Sequence, residues 1–575
     1  MLKKTTLYIL LYIFLPLLVF ADDAWLVPLD DDRYRRSEEY FITGGVAPPY
    51  ELLPLAAGDL KSQLRTLLSG KDASPRDDEI NMFIDTIRLP VPLASPILAL
   101  GLSGGYDSGM ARFRTVPLRF GGDDVTSPPT LDDDPDNGLT LAHFPPFYTS
   151  TNVPSMITTG FIIDLAGFSL VFQPELRETN VGLLEENEFI SVPEDLAQID
   201  LSNPIPRYGM INFYSPHFEA RLGRGKLQAG PGTFSTLSLA RTMPFFDHAL
   251  VRVRQDWFSF TATLVSLYPV ISALESTYLD YLSANNLNPE PGAAAGAAIT
   301  AERLKNYLHF QFTFRPLSWL SFSVTQTNLV GGRALSVADF NPFVSLVNLA
   351  DQSYHCPLLL SSTVVPLPGI KIYAEFLFYD PEPFAWAAMG GFTLLSDPFF
   401  SAGPGRFRLD CEVTYVDPYC YGNFNDLIKF TSRFMYLEQG APGAARYWVD
   451  YPLGFYLGPD CLDIHLALWY GRPGQWEAGL EWQSTAQGSV DLYGYGDDSD
   501  YLNHPADGSA PTGTAQWTHT VRVSFTFQPL RGLTFVVWYR VMFISNRFDA
   551  TTRANIPGDN VVLHSVGASA VWKIF

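Results

Sequence analysis

Apolar and polar residues alternate with a period of two along much of the chain, most clearly in Asn306–Leu329. Every second residue in Leu308–Phe314 is apolar, and the residues between are polar or amphipathic. After a tight turn at Arg315–Ser318 the alternation resumes from Leu320. This period is that of a β-strand with one apolar and one polar face. Because neither strand can enclose a core alone, the pattern predicts a β-hairpin that packs among further strands.

Hairpins of the same kind recur, and long loops separate them. Short turns fall within Val253–Phe260, Val364–Lys371, Trp469–Glu477 and Thr526–Phe535. The long loops cover roughly residues 272–305, 332–356, 487–513 and 546–559. Short turns alternating with long loops, joined by strands of about ten residues, are typical of a transmembrane β-barrel. A soluble all-β protein is the alternative.

The alternation predicts about 20 strands, at least one of them within residues 95–120. The others lie near residues 155–165, 167–177, 206–214, 217–229, 247–255, 256–270, 306–315, 318–331, 357–366, 369–380, 386–396, 405–416, 429–438, 447–457, 461–470, 475–486, 513–528, 531–546 and 560–575. An even-stranded barrel has both chain ends on the periplasmic side. We therefore predict an all-β transmembrane barrel of about 18–20 antiparallel strands in residues 91–575.

The start of the chain has the pattern of an export signal. Lys3 and Lys4 precede the apolar run Leu7–Phe20, and the small residue Ala21 follows it. This order predicts a signal peptide at residues 1–21. An uncleaved membrane anchor is the alternative.

Residues 22–90 precede the predicted barrel and contain helical patterns. Residues 22–48 are acidic and are predicted to be irregular. Asp59–Ser69 places leucines on one helical face, and a second helix is predicted to begin at Ser74. These apolar faces need a surface to pack on, which predicts a small periplasmic helical cap or plug for the barrel. A disordered tail is the alternative.

The composition agrees with a barrel and argues against some classes of function. Charged residues make up 17% of the chain and aromatic residues 14%, and only alternate residues of a barrel strand meet lipid. The net charge of −22 argues against a nucleic-acid partner. The motifs contain no catalytic constellation, and we expect no enzymatic activity, cofactor or metal.

The four cysteines lack metal-ligand spacing. Cys411 is expected to face lipid, with a Cys411–Cys420 disulfide as the alternative.

The polar phase of the strands carries charged residues of both signs. These are Glu219, Arg221, Arg252, Arg254, Arg315, Lys371, Glu375, Arg408, Glu412, Arg522 and Arg540. On the lipid face each would cost about 2–4 kcal/mol near the midplane, so we expect them to face the lumen. There they form a charge network that fills and stiffens the interior. The alternative is a substrate path or anion site.

Leu222–Asp247 contains Gly-Pro-Gly, a Leu/Ser-rich run and Pro-Phe-Phe-Asp in succession. This stretch resembles the corresponding region of the capsule-assembly Wzi-type outer-membrane barrels. Phe314–Ser323 and Asn341–Phe343 are also similar to that family. The resemblance implies an 18-stranded barrel with a periplasmic helical bundle and a surface role in holding polysaccharide.

Any glycan is expected to bind at exposed loop aromatics, whose rings stack on sugar faces. The candidates are Tyr419, Tyr421, Tyr493, Tyr495, Tyr501 and Trp517. Alternatively, these rings belong to the aromatic girdle at the membrane interface.

The sequence thus predicts a non-enzymatic barrel in the bacterial outer membrane, in contact with its lipid. The resemblance implies that this barrel binds or organises surface polysaccharide. The alternatives are a channel or transporter for a small polar or lipidic solute, and a surface adhesin.

Overall fold

Eighteen antiparallel strands close into a barrel in the computed structural model, within the part of the chain that the structure describes. That part comprises residues 23–29, 31–68, 75–89, 94–107, 118–120, 147–149, 157–165, 167–176, 181–183, 208–241, 243, 245–267, 304–331, 333–342, 354–381, 384–397, 405–422, 429–437, 446–472, 474–490, 509–530, 532–549 and 554–574. The predicted signal peptide lies outside it. So do Tyr493, Tyr495 and Tyr501.

Each barrel strand pairs with the next, and the last pairs with the first. The strands are β1 Ala94–Asp107, β2 Ile157–Leu165, β3 Phe168–Gln173, β4 Tyr208–Ser215, β5 Phe218–Gly225, β6 Phe246–Arg254, β7 Phe258–Leu267, β8 Lys305–Leu317, β9 Leu320–Gly331, β10 Leu358–Leu367, β11 Ile370–Pro381, β12 Phe384–Leu395, β13 Arg406–Val416, β14 Cys461–Arg472, β15 Trp476–Gln487, β16 Gln516–Leu530, β17 Leu533–Ser545 and β18 Asn560–Lys573. The predicted fold class is confirmed.

The period-two pattern sorts residues between the two sides of the wall. On β16 and β17, Val523, Phe525 and Val537 are about half exposed and point outward. Arg522 and Arg540 alternate with such residues along their strands and lie opposite each other in the register, so both point inward. An apolar exterior around a closed set of strands suits lipid, because closure pairs the backbone groups that lipid cannot solvate.

Two of the predicted strands do not belong to the barrel. Thr431–Leu437 and Arg446–Pro452 pair with each other, and the second also pairs with Leu118–Phe120. These two strands lie in the long connection between β13 and β14, and Leu118–Phe120, between β1 and β2, completes a separate three-stranded sheet with them. The prediction of barrel strands at residues 429–438 and 447–457 was therefore wrong.

The described part of residues 23–89, here called the N-terminal segment, contains three helices. They are α1 Asp32–Gly44, α2 Ala57–Leu68 and α3 Pro75–Thr86. The first begins within residues predicted to be irregular, and Asp31 caps it by accepting from the Arg33 amide. Buried rings and aliphatic side chains join the three helices into one apolar cluster, which includes Phe41, Leu60 and Phe83. No helix among the described residues is long and apolar enough to cross a membrane.

Short strands elsewhere tie separate parts of the chain together. Leu52–Leu53 pairs with Gln228–Ala229, which joins the N-terminal segment to the chain after β5. The remaining short elements are Phe147–Thr149, Glu175–Leu176, Val181–Leu183, Tyr354–His355, Phe548–Asp549, Ala554–Asn555 and the 3-10 turn Val337–Phe340.

Candidate functional site

The N-terminal segment lies at the end of the barrel where the short turns are. The Gly369 amide in the β10–β11 turn donates to the Ile42 carbonyl at 3.0 Å. The Ala47 amide donates to the Ser318 carbonyl in the β8–β9 turn at 2.8 Å. Two separate turns of the barrel rim thus hold the end of α1 and the residues after it.

Glu38 on α1 forms a buried ionic link to the barrel wall. Its carboxylate accepts from Lys371 Nζ at 2.5 Å and from Arg408 Nη2 at 2.7 Å. Arg408 also donates to Asp410 at 2.7 Å. Because each charge here is buried and has an opposite charge in hydrogen-bond contact, removing one partner would leave the others uncompensated.

The ionic link predicts a pH dependence for the docking of α1. Burial alone would raise the pKa of Glu38, but Lys371 and Arg408 outweigh it and lower this pKa to about 2. The pKa in an unfolded chain is about 4.3, so the ionic stabilisation is complete above that pH and is lost as the pH falls through about 2.

We expect the rate of hydrogen exchange of the α1 amides, corrected for intrinsic rates, to rise as the pH falls from about 4.3 to about 2. A Glu38→Gln variant lacks the titrating group. It should show faster exchange at pH 7, and its difference from the native protein should vanish below about pH 2. A difference that stays constant from pH 7 to pH 2 would contradict this assignment.

A second ionic cluster centres on Glu219 of β5. Its carboxylate accepts from Arg221 at 2.5 Å, Arg252 at 3.2 Å and Arg254 at 3.0 Å. Arg254 also pairs with Asp59 of α2. Two of the arginines bond to backbone carbonyls of the N-terminal segment: Arg221 to Pro54 at 2.9 Å and Arg252 to Leu52 at 3.1 Å. The cluster therefore links this segment to β5 and β6.

Glu51 supplies a third link. It pairs with Arg315 of β8 at 2.7 Å and accepts from the Ser321 hydroxyl of β9 at 2.5 Å. Further bonds run from the N-terminal segment to residues around the barrel, namely Asp164, Ser169, Asn212, Arg406, Glu477 and Gln528. The segment is thus attached to β2–β6, β8, β9, β11, β13, β15 and β16.

The described residues of 226–245, here called the lumen segment, pass through the interior between β5 and β6. Leu237, Leu239 and Phe245 are buried in one apolar cluster with residues of the barrel wall. The Gly230 amide donates to the Glu51 carbonyl at 2.9 Å, and the Ala240 amide donates to the Leu453 carbonyl at 2.8 Å. Contacts therefore run from the N-terminal segment through the lumen segment to the long loop that follows β13.

Two buried carboxylates on the wall hold the lumen segment by its backbone. Glu375 accepts from the Leu237 amide at 2.8 Å. Glu412 accepts from the amides of Thr233 and Phe234 at 3.0 and 3.2 Å, and from the Tyr373 hydroxyl at 2.8 Å. These two predicted lumen residues act as acceptors for backbone groups that have no sheet partner.

The other predicted lumen arginines lie across the interior. Arg522 of β16 pairs with Glu481 at 3.2 Å, and its guanidinium lies 5.7 Å from the centre of the Trp538 ring. Arg540 of β17 is also 5.7 Å from that ring. The Arg522 side chain is 30% exposed, whereas the Glu219 side chain is fully buried. The inner face at β16 is therefore less covered than the inner face at β5.

The structure places Tyr419 and Tyr421 inside the molecule rather than on exposed loops. They are 7% and 0% exposed. Tyr421 donates its hydroxyl to the Leu237 carbonyl at 3.1 Å and stacks on Phe430. The expected exposure of these two rings was wrong, because the connection after β13 folds back onto the lumen segment.

Trp517 lies on β16 in the outward-facing phase, and its ring stacks against that of His519. At 39% exposure the ring is accessible on the outer face, whereas Tyr419 and Tyr421 are buried.

None of the four cysteines, all within the described residues, forms a disulfide, so the alternative of a Cys411–Cys420 disulfide was wrong. Cys411 alternates with the buried inward residues Asp410 and Glu412. No group of three or more His, Cys, Asp or Glu among the described residues is placed to hold a metal ion.

A small pocket, here called the lumen pocket, lies where the lumen segment meets the connection after β13. It is lined by Gln228, Phe234, Ser235, Thr236, Ala240, Arg241 and Tyr456 and holds about 210 Å³, including space open to solvent. Phe234 stacks on His465 with ring centres 3.7 Å apart, and Tyr456 accepts from the Gln483 amide. Sequence reasoning missed this pocket, because nothing in the alternation shows which loop residues turn inward.

The whole-chain architecture is shared with a known protein. The chain is similar to Wzi, an outer-membrane protein involved in group 1 capsule assembly in Escherichia coli and a carbohydrate-binding β-barrel. The TM-score is 0.55 at 12% identity, over 96% of this chain and 100% of that one. The fold is Wzi-like. No protein-family model and no curated protein sequence matches the chain.

Other solved barrels match with lower scores than Wzi. Pseudomonas aeruginosa OccK5 has a TM-score of 0.36 at 10% identity, covering 84% of this chain and 98% of that one. OmpT of Vibrio cholerae has a TM-score of 0.31 at 9% identity, covering 84% and 99%. The Wzi-like fold and the apolar exterior place the chain in the bacterial outer membrane. The predicted resemblance to Wzi-type barrels is confirmed at the level of the fold.

Proposed function

We propose that this protein is a closed, non-enzymatic barrel that binds or organises polysaccharide at the cell surface. The observation that carries the proposal is the continuous set of contacts through the lumen, from the N-terminal segment to the connection after β13. A barrel filled in this way has its free surfaces at the loop end, where polysaccharide would be met. The carbohydrate binding of Wzi, which has the same fold, supports this role.

Binding to polysaccharide is the direct test. The refolded protein in detergent micelles should bind immobilised surface polysaccharide from the bacterium that makes it, as measured by surface plasmon resonance. Dextran, a neutral polysaccharide, is the control ligand, and heat-unfolded protein is the control analyte. Equal binding to dextran, or none to the surface polysaccharide, would contradict the proposal.

A channel for a small polar solute is the second candidate function. The half-buried, inward-facing Glu481 and Arg522 favour it, since they leave polar groups accessible on one side of the interior.

Single-channel recording separates the two functions. We expect the intact protein to show no steady conductance in a planar bilayer at neutral pH, because the N-terminal segment is bonded to strands around the rim. A variant lacking residues 23–89 is expected to conduct if the segment is the main block. Its barrel should first be checked by the mobility shift that folded barrels show on unheated gels. A steady open current from the intact protein would favour the channel.

A further inference from the structure

The loop that follows β9 folds back over the outside of the barrel. Its described part, residues 333–342, is here called the outer loop. Leu335 of this loop packs in one apolar cluster with Leu308 and Phe310 of β8 and Val330 of β9. All three wall residues are buried, although they belong to the apolar phase of their strands, which faces lipid elsewhere on the barrel.

The register shows that the outer loop covers the lipid side of the wall. Tyr307 of β8 and Leu329 of β9 lie opposite each other and belong to the apolar cluster of the lumen, so both point inward. Leu308 and Asn328, the next pair in the register, therefore point outward. Asn328 is nevertheless fully buried, and its amide donates to the Asp339 carbonyl at 3.2 Å. The outer loop thus supplies the partner of a polar side chain on the lipid side.

The outer loop is held in one shape by its own charged residues. Arg333 donates two hydrogen bonds to the Asp339 carboxylate, at 2.7 and 2.8 Å. The Ser336 amide donates to the same carboxylate at 2.6 Å, and the Asp339 amide donates to the Ser336 carbonyl at 3.1 Å. Arg333 and Asp339 are the charged residues of the outer loop, so their pairing leaves it without net charge.

Val337 and Phe340 form an apolar tip on the outer loop. They are the first and last residues of a 3-10 turn, in which side chains three positions apart lie on the same side. Val337 is 91% exposed and Phe340 is 47% exposed. Because the turn is already fixed, contact between this tip and an apolar surface would cost little conformational entropy.

The outer loop lies near the outer boundary of the membrane. A strand tilted by about 35–45° rises roughly 2.5 Å per residue along the barrel axis, which places Asn328 about 20 Å above Leu320 at the periplasmic turn. The apolar band of such a barrel is about 25 Å tall. The loop bonded to Asn328 is therefore level with the outer ends of the acyl chains. It continues the exposed apolar wall formed below it by Phe322 and Leu360.

We propose that the outer loop is a membrane anchor, whose residues Val337 and Phe340 insert into the outer leaflet among the acyl chains. Lipid is the occupant of this surface, because the tip continues the lipid-facing wall and the loop carries no net charge. Such an anchor fixes how deeply β7–β9 sit in the outer leaflet. The inference is independent of the proposed polysaccharide function.

Photocrosslinking of the full-length protein in vesicles of dioleoylphosphatidylcholine tests the anchor. The photoreactive residue p-benzoylphenylalanine replaces Val337, whose exposed side chain has little packing to lose. Illumination links the probe to a nearby C–H group, and mass spectrometry identifies the product. We expect adducts with lipid acyl chains, in a yield similar to that of the same probe at Phe525, which is 47% exposed on the outer wall. The probe at Phe340 should give the same adducts.

The same probe at Met82 is the matched control. Met82 is an apolar residue on α3 that is 64% exposed, so it shows what a bulky apolar probe does by itself. Equal yields of lipid adduct at Met82 and Val337 would overturn the anchor. So would the absence of lipid adducts at Val337 in a preparation where the probe at Phe525 gives them. Crosslinked dimers in place of lipid adducts would assign the tip to a second copy of the chain and overturn the assignment to lipid.

Discussion

Replacing Glu219 by alanine is expected to destabilise the barrel by about 3–5 kcal/mol, the usual cost of removing one partner from a buried ionic cluster. Glu219 is fully buried and accepts from three arginines. Without it, Arg221 and Arg252 keep backbone carbonyls as acceptors but lose their buried counter-charge. Asp59 remains beside Arg254 and offsets only one of the three.

The free energy of unfolding in guanidinium chloride, measured by tryptophan fluorescence in lipid micelles, checks this prediction. Asp85→Ala is the matched control, because Asp85 pairs with Arg88 at the surface with both side chains more than 60% exposed. Exposed pairs of this kind contribute about 0–1 kcal/mol. Similar losses in the two variants would show that the Glu219 cluster adds nothing beyond a surface ion pair.

Gly230→Ala is expected to displace the lumen segment from the wall. The backbone φ of Gly230 is +119°, and a Cβ at this position would lie 1.7 Å from Glu375 Oε1. The strained backbone costs about 1–3 kcal/mol. Movement of Glu375 away from the new methyl group would also break its bond to the Leu237 amide, which adds about 1–3 kcal/mol.

Gly558→Ala separates the cost of backbone strain from the cost of a steric clash at the new Cβ. Gly558 also has a positive φ, +81°, but no atom lies within 4 Å of the position its Cβ would take. Its substitution should therefore show the backbone cost alone. We expect Gly230→Ala to lower the unfolding free energy by more and to speed hydrogen exchange at the Leu237 amide. Unchanged exchange at Leu237 would mean that Glu375 does not hold the lumen segment as described.

The period-two pattern was sufficient to predict the barrel wall. Residues 357–366 and 369–380 were predicted as strands, and β10 and β11 lie at Leu358–Leu367 and Ile370–Pro381. The reason is physical: lipid favours apolar side chains on the outer face, and the lumen favours polar side chains on the inner face. Because successive residues of a strand point to opposite faces, the two types alternate along the sequence.

The same pattern cannot show which sheet a strand joins. Thr431–Leu437 and Arg446–Pro452 have seven residues each, which does not separate them from the barrel strands, since β3 has six. Their partners are each other and Leu118–Phe120, about 300 residues earlier, and no local pattern shows that pairing. The inward fold of Tyr421 also had no signal in the sequence, because it depends on a contact with Leu237, 184 residues away.

The lumen charges were predictable as a set, but their partners were not. The alternation placed Lys371 and Arg408 on the inner face. Their acceptor, Glu38, lies more than 330 residues earlier, on α1, which begins within residues predicted to be irregular. Charge complementarity between an acidic N-terminal segment and basic wall residues was visible in composition, whereas the pairing required the closed barrel.

The ring of bonds around the N-terminal segment also sets an order of events during assembly. Gln528 bonds to Asp32 across 496 positions of sequence, and Glu477 to Arg35 across 442. Contacts between such distant positions are slow to form, since loop-closure entropy must be overcome first. The contacted strands include β2 and β16, which lie on opposite sides of the seam where β18 meets β1. The full ring of bonds can therefore exist only in the closed barrel, and complete docking of the N-terminal segment depends on barrel closure.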